Sequence, residues 1–245
     1  MRNHFVRNNA EILAASSYVI QDPPALRGHY RERLGAPRLN LEIGTGKGRF
    51  LTDAARAVPS EGWIGVERIG SVLCKAAGAL DRLIPAAALH NICLIRSEAE
   101  DLPDYFEPGE IDALYLNFSD PWPKAKHAKR RLTSARFLSL YERILAPGGI
   151  LYLKTDSDIL YSFSLEELPA RGWTILASED DYRPDAGDTS VQAIPTEYEL
   201  QFRKEGRPIH MLRAQCPASA GQPEADHPAG STPGRTNEEG ATAHA

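Results

Sequence analysis

The chain reads as an α/β protein built on a mostly parallel sheet with helices on both faces. Three observations predict this. Short apolar runs alternate with helical stretches along the chain. The first run ends on a glycine-rich turn that leads into a helix. The fourth has an unbroken apolar centre, Ala113-Leu114-Tyr115-Leu116, as a strand buried on both faces requires. At 245 residues and 42% hydrophobic, the chain suffices for one such domain with a real core.

Leu39–Ile43 is the first strand. Gly44-Thr45-Gly46-Lys47-Gly48 turns it into a helix over Arg49–Ala57. Trp63–Val66 is the second strand, and Ser71–Leu83 a helix. Ile92–Ile95 and Ile111–Asn117 are the third and fourth strands. The spacing predicts a helix over Thr133–Leu145, stopped by Pro147-Gly148-Gly149. Ile150–Leu153 is the fifth strand, Ser157–Leu168 a helix and Trp173–Leu176 the sixth strand. Pro208–Arg213 closes the sheet. These elements define a domain over 39–213, preceded by a segment, 1–38, expected to pack on or near the substrate site. Residues 214–245 contain no Leu, Ile, Val, Phe, Tyr or Trp, and so read as a disordered acidic tail.

The N-terminus, with Arg2, Arg7 and Glu11, has no apolar signal-peptide region. No run approaches the ~20 apolar residues of a membrane span, so a cytoplasmic protein is expected. Cys74, Cys93 and Cys216 lack metal-ligand spacing, and neither zinc nor a disulfide is expected. Cys74 and Cys93 sit in apolar patterns and read as buried thiols.

The net charge of −5 at first argues against a nucleic-acid partner. Its distribution argues otherwise. The last 32 residues carry four acids against Arg235, which leaves the rest at −2. Between Asp120 and Glu142 there is no acid, while Lys124, Lys126, Lys129, Arg130, Arg131 and Arg136 lie there. A near-neutral domain thus carries one concentrated basic stripe.

Ligands of such sheets bind at the carboxyl ends of the strands. Glu42 precedes the glycine turn. Gly44, Gly46 and Gly48 let the backbone approach a ligand closely. A dinucleotide fingerprint would need glycine where Arg49 stands, which makes a dehydrogenase the weakest reading. An acid beside the loop suits a cationic ligand, and S-adenosylmethionine carries both a sulfonium and an ammonium. Glu67 ends the second strand, ~20 residues on, where an acid holds ribose hydroxyls or caps the next helix. Glu98 follows the third strand. It either accepts from the adenine amino group, or the stretch is a capping box of Ser97 with Glu100.

The most informative stretch runs from Asn117 to Arg131 and contains Asp120-Pro121-Trp122-Pro123. Two prolines make a rigid loop at the end of the fourth strand. That loop can hold Asp120 and Trp122 over a reacting methyl, while the basic run leads away to neutralise phosphates.

On these segments, with Gly65-Val66-Glu67, Lys154-Thr155-Asp156 and Thr196-Glu197-Tyr198-Glu199, the chain resembles the bacterial tRNA (guanine-N7)-methyltransferases. The resemblance covers roughly residues 1–213 and implies a Rossmann-like class I methyltransferase fold. It further implies that Glu42, Glu67, Glu98 and Asp120 contact S-adenosylmethionine, with Asp120 catalytic. Lys124, Asp156, Thr196, Glu197, Tyr198 and Glu199 would bind the guanine or its nucleotide. Lys126, Lys129, Arg130 and Arg131 would follow the RNA backbone. The partner implied is tRNA, methylated in its variable loop by a monomer or a homodimer, without metal or membrane. Thr196-x-x-Glu199 is also a capping-box pattern, and Asp156 also fits a helix cap. Three departures stand out: Glu98 where the family has Asp, Ala125 where a basic residue is frequent, and the acidic tail. Rival readings are a methyltransferase of another RNA or a small molecule, and a non-catalytic RNA-binding module.

Overall fold

The computed structural model describes residues 9–83, 88–218 and 220. Seven strands form one sheet: β1 (Leu39–Ile43), β2 (Gly62–Val66), β3 (Ile92–Ile95), β4 (Ile111–Asn117), β5 (Leu145–Thr155), β6 (Thr174–Glu179) and β7 (His210–Gln215). Their order is β3-β2-β1-β4-β5-β7-β6. β7 runs antiparallel to both its neighbours, and the pairs from β3 to β5 are parallel. The carboxyl ends of β1, β2, β3, β4 and β5 therefore share one edge.

Helices cover both faces, as expected of strands with no solvent side. One core joins Leu39, Leu41 and Ile43 of β1 to α2 (Tyr30–Leu34), α5 (Leu102–Tyr105), α6 (Ala135–Ile144) and α7 (Asp158–Ala170). The other joins α1 (Asn9–Ala15), α3 (Arg49–Ala57) and α4 (Gly70–Asp81) to Trp63 and Tyr115. Strand side chains alternate between faces, so Asn40 and Glu42 point opposite to the β1 leucines. The final helix, α8 (Glu197–Lys204), leads into β7. No described helix is long and apolar enough to cross a membrane. The three thiols are free and buried.

Boundaries differ from expectation where local chemistry intervenes. The sixth helix starts at Ala135 rather than Thr133. Thr133 spends its hydroxyl on Ser164, 2.7 Å away, and Ser134 stays extended at the N-cap. Pro147-Gly148-Gly149 does not separate helix from strand, because β5 already begins at Leu145. Leu145 pairs with Ile111, the register then shifts, and Gly148 takes φ +76. Glycine there makes a bulge that keeps the strand in the sheet. The last strand runs past the expected end at 213. Ala214 pairs with Leu151, Gln215 with Ile150, and Cys216 is buried. Residues without large side chains still fill a ladder position between two strands. The expected disorder beyond residue 220 lies outside the described residues, as do Arg2 and Arg7.

The segment before β1 adds one parallel bridge, Val19 to Leu94, at the outer edge of β3. Ile20 donates to Leu94 O and Leu94 to Tyr18 O. α1 packs on α4. Glu110 accepts from the backbone of Gly28 and Tyr30, and Asp112 from Leu39 N, at the amino end of β4.

Candidate active site

The glycine turn after β1 is held by acids. Glu42 is 3% exposed. Thr45 Oγ1 donates to one carboxylate oxygen at 2.7 Å and Asn117 Nδ2 to the other at 2.9 Å. Burial pushes the Glu42 carboxyl up to about 7, against the pull of those two donors. Glu67 accepts from Gly46 N at 3.1 Å and from Ile69 N at 2.8 Å. It thus steadies both the turn and the start of α4, while each oxygen keeps a second lone pair.

Space beside the start of the turn is open. Gly44 sits at φ +78, and a Cβ there would meet nothing within 4 Å. Gly48 differs: a Cβ would lie 2.9 Å from Ala76 Cβ, so its role is close packing of the turn on α4. Two buried carboxylates, Glu42 and Glu67, invite a positive partner. Among the described residues, no cluster of three His, Cys, Asp or Glu is placed to hold a metal.

A cleft of about 470 Å³ opens between the ends of β4 and β5 and α8, and the Lys47–Glu197 pair ties α8 to this turn. It contains Asp120, Asp156 and Tyr198 of the expected residues, together with Phe118, Phe202 and Arg207. Asp120 is exposed, on the loop that follows β4. Two non-glycine residues of that loop take positive φ, Phe118 at +53 and Trp122 at +42. Each such conformation costs roughly 1–2 kcal/mol and marks a segment held by its surroundings. Pro123 contributes by closing the right-handed helical region to Trp122.

Arg131 does much of the holding, which corrects its expected role. It is 6% exposed. Its Nε donates to Pro121 O at 3.0 Å and its Nη2 to Trp122 O at 3.1 Å. Its guanidinium lies 4.5 Å from the Phe163 ring centroid. The guanidinium clamps the loop from within and is not free to follow an RNA backbone. Lys126, Lys129 and Arg130 are exposed on the 3-10 turn Ala125–Arg130, and Lys124 is exposed at its N-cap. Arg130 stacks over Trp122 at 4.8 Å.

The Thr196–Glu199 segment divides likewise. The capping box forms in part, since Thr196 Oγ1 accepts from Glu199 N at 3.0 Å. Glu199, 1% exposed, is turned inward rather than toward the cleft. It accepts from Lys154 at 2.8 Å and from Arg203 at 2.8 Å. Burial pulls the Lys154 ammonium below its ordinary range, and Glu199 opposes that pull. Glu197 pairs with Lys47, bridging α8 and the glycine turn. Tyr198 stays 58% exposed and stacks on Phe202, centroids 6.2 Å apart.

Glu98 lies exposed at the carboxyl end of β3, extended before a 3-10 turn. The alternative Ser97–Glu100 box does not form: Ser97 donates to Asp101 at 2.6 Å, and Glu100 pairs with Arg136. Asp156 does not cap α7, because Ser157 accepts from Leu160 N. Asp156 pairs with Arg207 instead. Sequence reasoning missed Asn117, Arg207 and the Phe118–Tyr198–Phe202 ring cluster. Asn117 was readable as the polar residue closing an apolar strand; Arg207 gave no local signal.

A sheet of this order, with an acid-held glycine turn after β1 and a polar cleft beside it, defines a methyltransferase of the class I, Rossmann-like kind. Solved structures agree on the fold. The antibiotic-resistance methyltransferase Kmr superposes with a TM-score of 0.55 at 23% identity, over 78% of this chain and 92% of its own. A 16S rRNA (adenine(1408)-N(1))-methyltransferase from Catenulisporales acidiphilia gives 0.56 at 19%, over 81% and 92%. A family model described as "Putative methyltransferase" matches residues 37–212. The tRNA (guanine-N(7)-)-methyltransferase of Geobacillus thermodenitrificans is 44% identical over 84% of this chain and 93% of the relative. That of Lachnoclostridium phytofermentans is 38% identical over 87% and 98%. The chain belongs to the tRNA (guanine-N7)-methyltransferase family.

Proposed function

We propose that this chain transfers a methyl group from S-adenosylmethionine to N7 of a guanine in tRNA, forming 7-methylguanosine. Beyond family membership, one observation carries the reading. Asn117 ties the buried Glu42, just ahead of the glycine turn, to the strand that delivers Asp120 into the cleft. Cofactor turn and base cleft are thereby neighbours on one sheet edge.

The roles follow from chemistry. S-adenosylmethionine supplies an electrophilic methyl on a sulfonium. Glu42, Glu67 and Glu98 are assigned to its cationic and polar groups, with Gly44 and Gly46 giving close approach and Gly48 packing the turn. Guanine N7 carries an in-plane lone pair, so no proton must leave before attack. The protein's main task is alignment, which can contribute about 7–11 kcal/mol. Asp156 is assigned to the guanine N1 and N2 hydrogens, and Tyr198 to stacking, which is worth ~1–3 kcal/mol per base. The purine gains positive charge as it is methylated, and Asp120 is assigned to stabilise it. Glu197 and Thr196 order the rim, and Glu199 anchors it from behind. Lys124, Lys126, Lys129 and Arg130 are assigned to phosphates.

A splayed base is the easiest to read on this edge, and a guanine of the variable loop fits. The reading has tRNA as partner of a cytoplasmic monomer or homodimer. Incubation with methyl-labelled cofactor and bulk tRNA, followed by nucleoside digestion, tests it. Label in 7-methylguanosine is expected; label in another nucleoside overturns the reading.

A further inference from the structure

The structure assigns to Arg207 a role as tethered stand-in for the guanine base: it holds Asp156 in the free enzyme, yields it when guanine enters, and retakes it to displace the product. This rests on the proposed function and concerns the same cleft.

Arg207 Nη2 pairs with Asp156 Oδ2, and its guanidinium carbon lies 4.4 Å from the Phe202 ring centroid. Phe202 in turn stacks with Tyr198 and packs on Phe118. A planar cation thus lies over an aromatic ring with one donor, Nη2, on a carboxylate oxygen. Guanine would present the same features: a flat face, and an edge bearing two adjacent N–H donors. The arginine and that edge compete for Asp156 Oδ2. The pair is partly solvated, with side-chain exposures of 44% for Arg207 and 16% for Asp156, so exchange is possible without unfolding. Arg207 also follows Gly206, at φ +74, in the link between α8 and β7.

The device suits the reaction. N7 methylation leaves a cationic base in a cleft that contains Asp120, Asp156 and Asp158. Those carboxylates would retain it. A tethered cation that competes for Asp156 shortens its stay.

Binding of guanosine and 7-methylguanosine to the full chain, saturated with S-adenosylhomocysteine, is measured by ligand-observed NMR. Both nucleosides lack phosphate, so loss of a basic residue cannot weaken them by charge attraction to RNA. Removing an occupant of the site raises apparent affinity by the fraction it had blocked. Arg207→Gln is expected to bind both nucleosides at least ~5-fold tighter, and to lower the rate of repeated turnovers relative to the first. Affinity that is unchanged or weaker, undetectable in both proteins included, overturns the inference. In the unaltered protein, the Arg207 side-chain N–H signals should shift when guanosine is added. Signals that stay put overturn it equally, whether or not the variant folds. If tRNA digests contain 7-methylguanosine and these outcomes fail, this inference alone falls. If the digests lack it, the proposed function falls first.

Discussion

Asn117, the last residue of β4, donates from Nδ2 to Glu42 Oε1 at 2.9 Å. That bond crosses from the fourth strand to the neighbouring first strand. It places the glycine turn and the Asp-Pro-Trp-Pro loop on one edge of the sheet, which is what methyl transfer between them demands. The buried carboxylate it serves also determines the first prediction.

Glu42 is pushed from 4.5 up to about 7 by burial. A cationic cofactor binds its ionised form. Affinity for S-adenosylmethionine should therefore rise roughly tenfold between pH 6 and pH 8, as calorimetric titration would record. Stability runs the other way. A raised acid contributes stability fully below its unfolded value, and loses it as pH climbs through its folded value. Glu42→Gln should thus flatten the fall of stability with pH, as melting curves at pH 5 and pH 8 would record, and bind cofactor poorly. A variant with the parent's pH dependence and unchanged cofactor affinity would contradict this.

Asp120 is exposed and bears no structural load that its burial would reveal. Asp120→Ala should lower kcat at least ~10²-fold with an unchanged melting temperature. Near-normal turnover would remove Asp120 from the chemistry.

Arg131 and the lysines ahead of it should separate in a salt titration of tRNA binding. Lys126→Ala and Lys129→Ala should each reduce the slope of log affinity against log salt by about 0.7–0.9. Arg131→Ala should leave the slope alone while lowering kcat and thermal stability, because the Pro121 and Trp122 carbonyls lose their donor. A reduced slope in Arg131→Ala would restore it to the RNA surface.

Glu199→Ala leaves Lys154 charged and buried without its partner. Breaking such a pair costs about 3–5 kcal/mol. Chemical denaturation should show that loss. A variant with normal stability and a raised KM would instead make Glu199 a direct contact.

Much of the sheet was legible from pattern alone. Leu39–Ile43 and Ile111–Asn117 have the expected bounds because their apolar runs end on a glycine turn and a polar Asn. The start of β5 was misread because Pro147-Gly148-Gly149 usually separates a helix from a strand, whereas the register shift at Ile111 lets it enter the strand. In the site, residue type pointed to place but not to direction. Arg131 belongs to a basic run, and nothing local says that one of its members turns onto backbone carbonyls. Glu199 belongs to a capping box, and only the fold brings buried Lys154 beneath it. Arg207 follows a helix end with no motif, and its meeting with Asp156 depends on β5 and β7 lying side by side.

The central claim is that the cleft beside the glycine turn presents a guanine ring nitrogen to the cofactor. A tRNA transcript made with 7-deazaguanosine in place of guanosine tests it most directly, since only the atom at position 7 changes. The deaza transcript should bind as the normal one does and take up no labelled methyl. Methyl uptake by both transcripts would contradict the account.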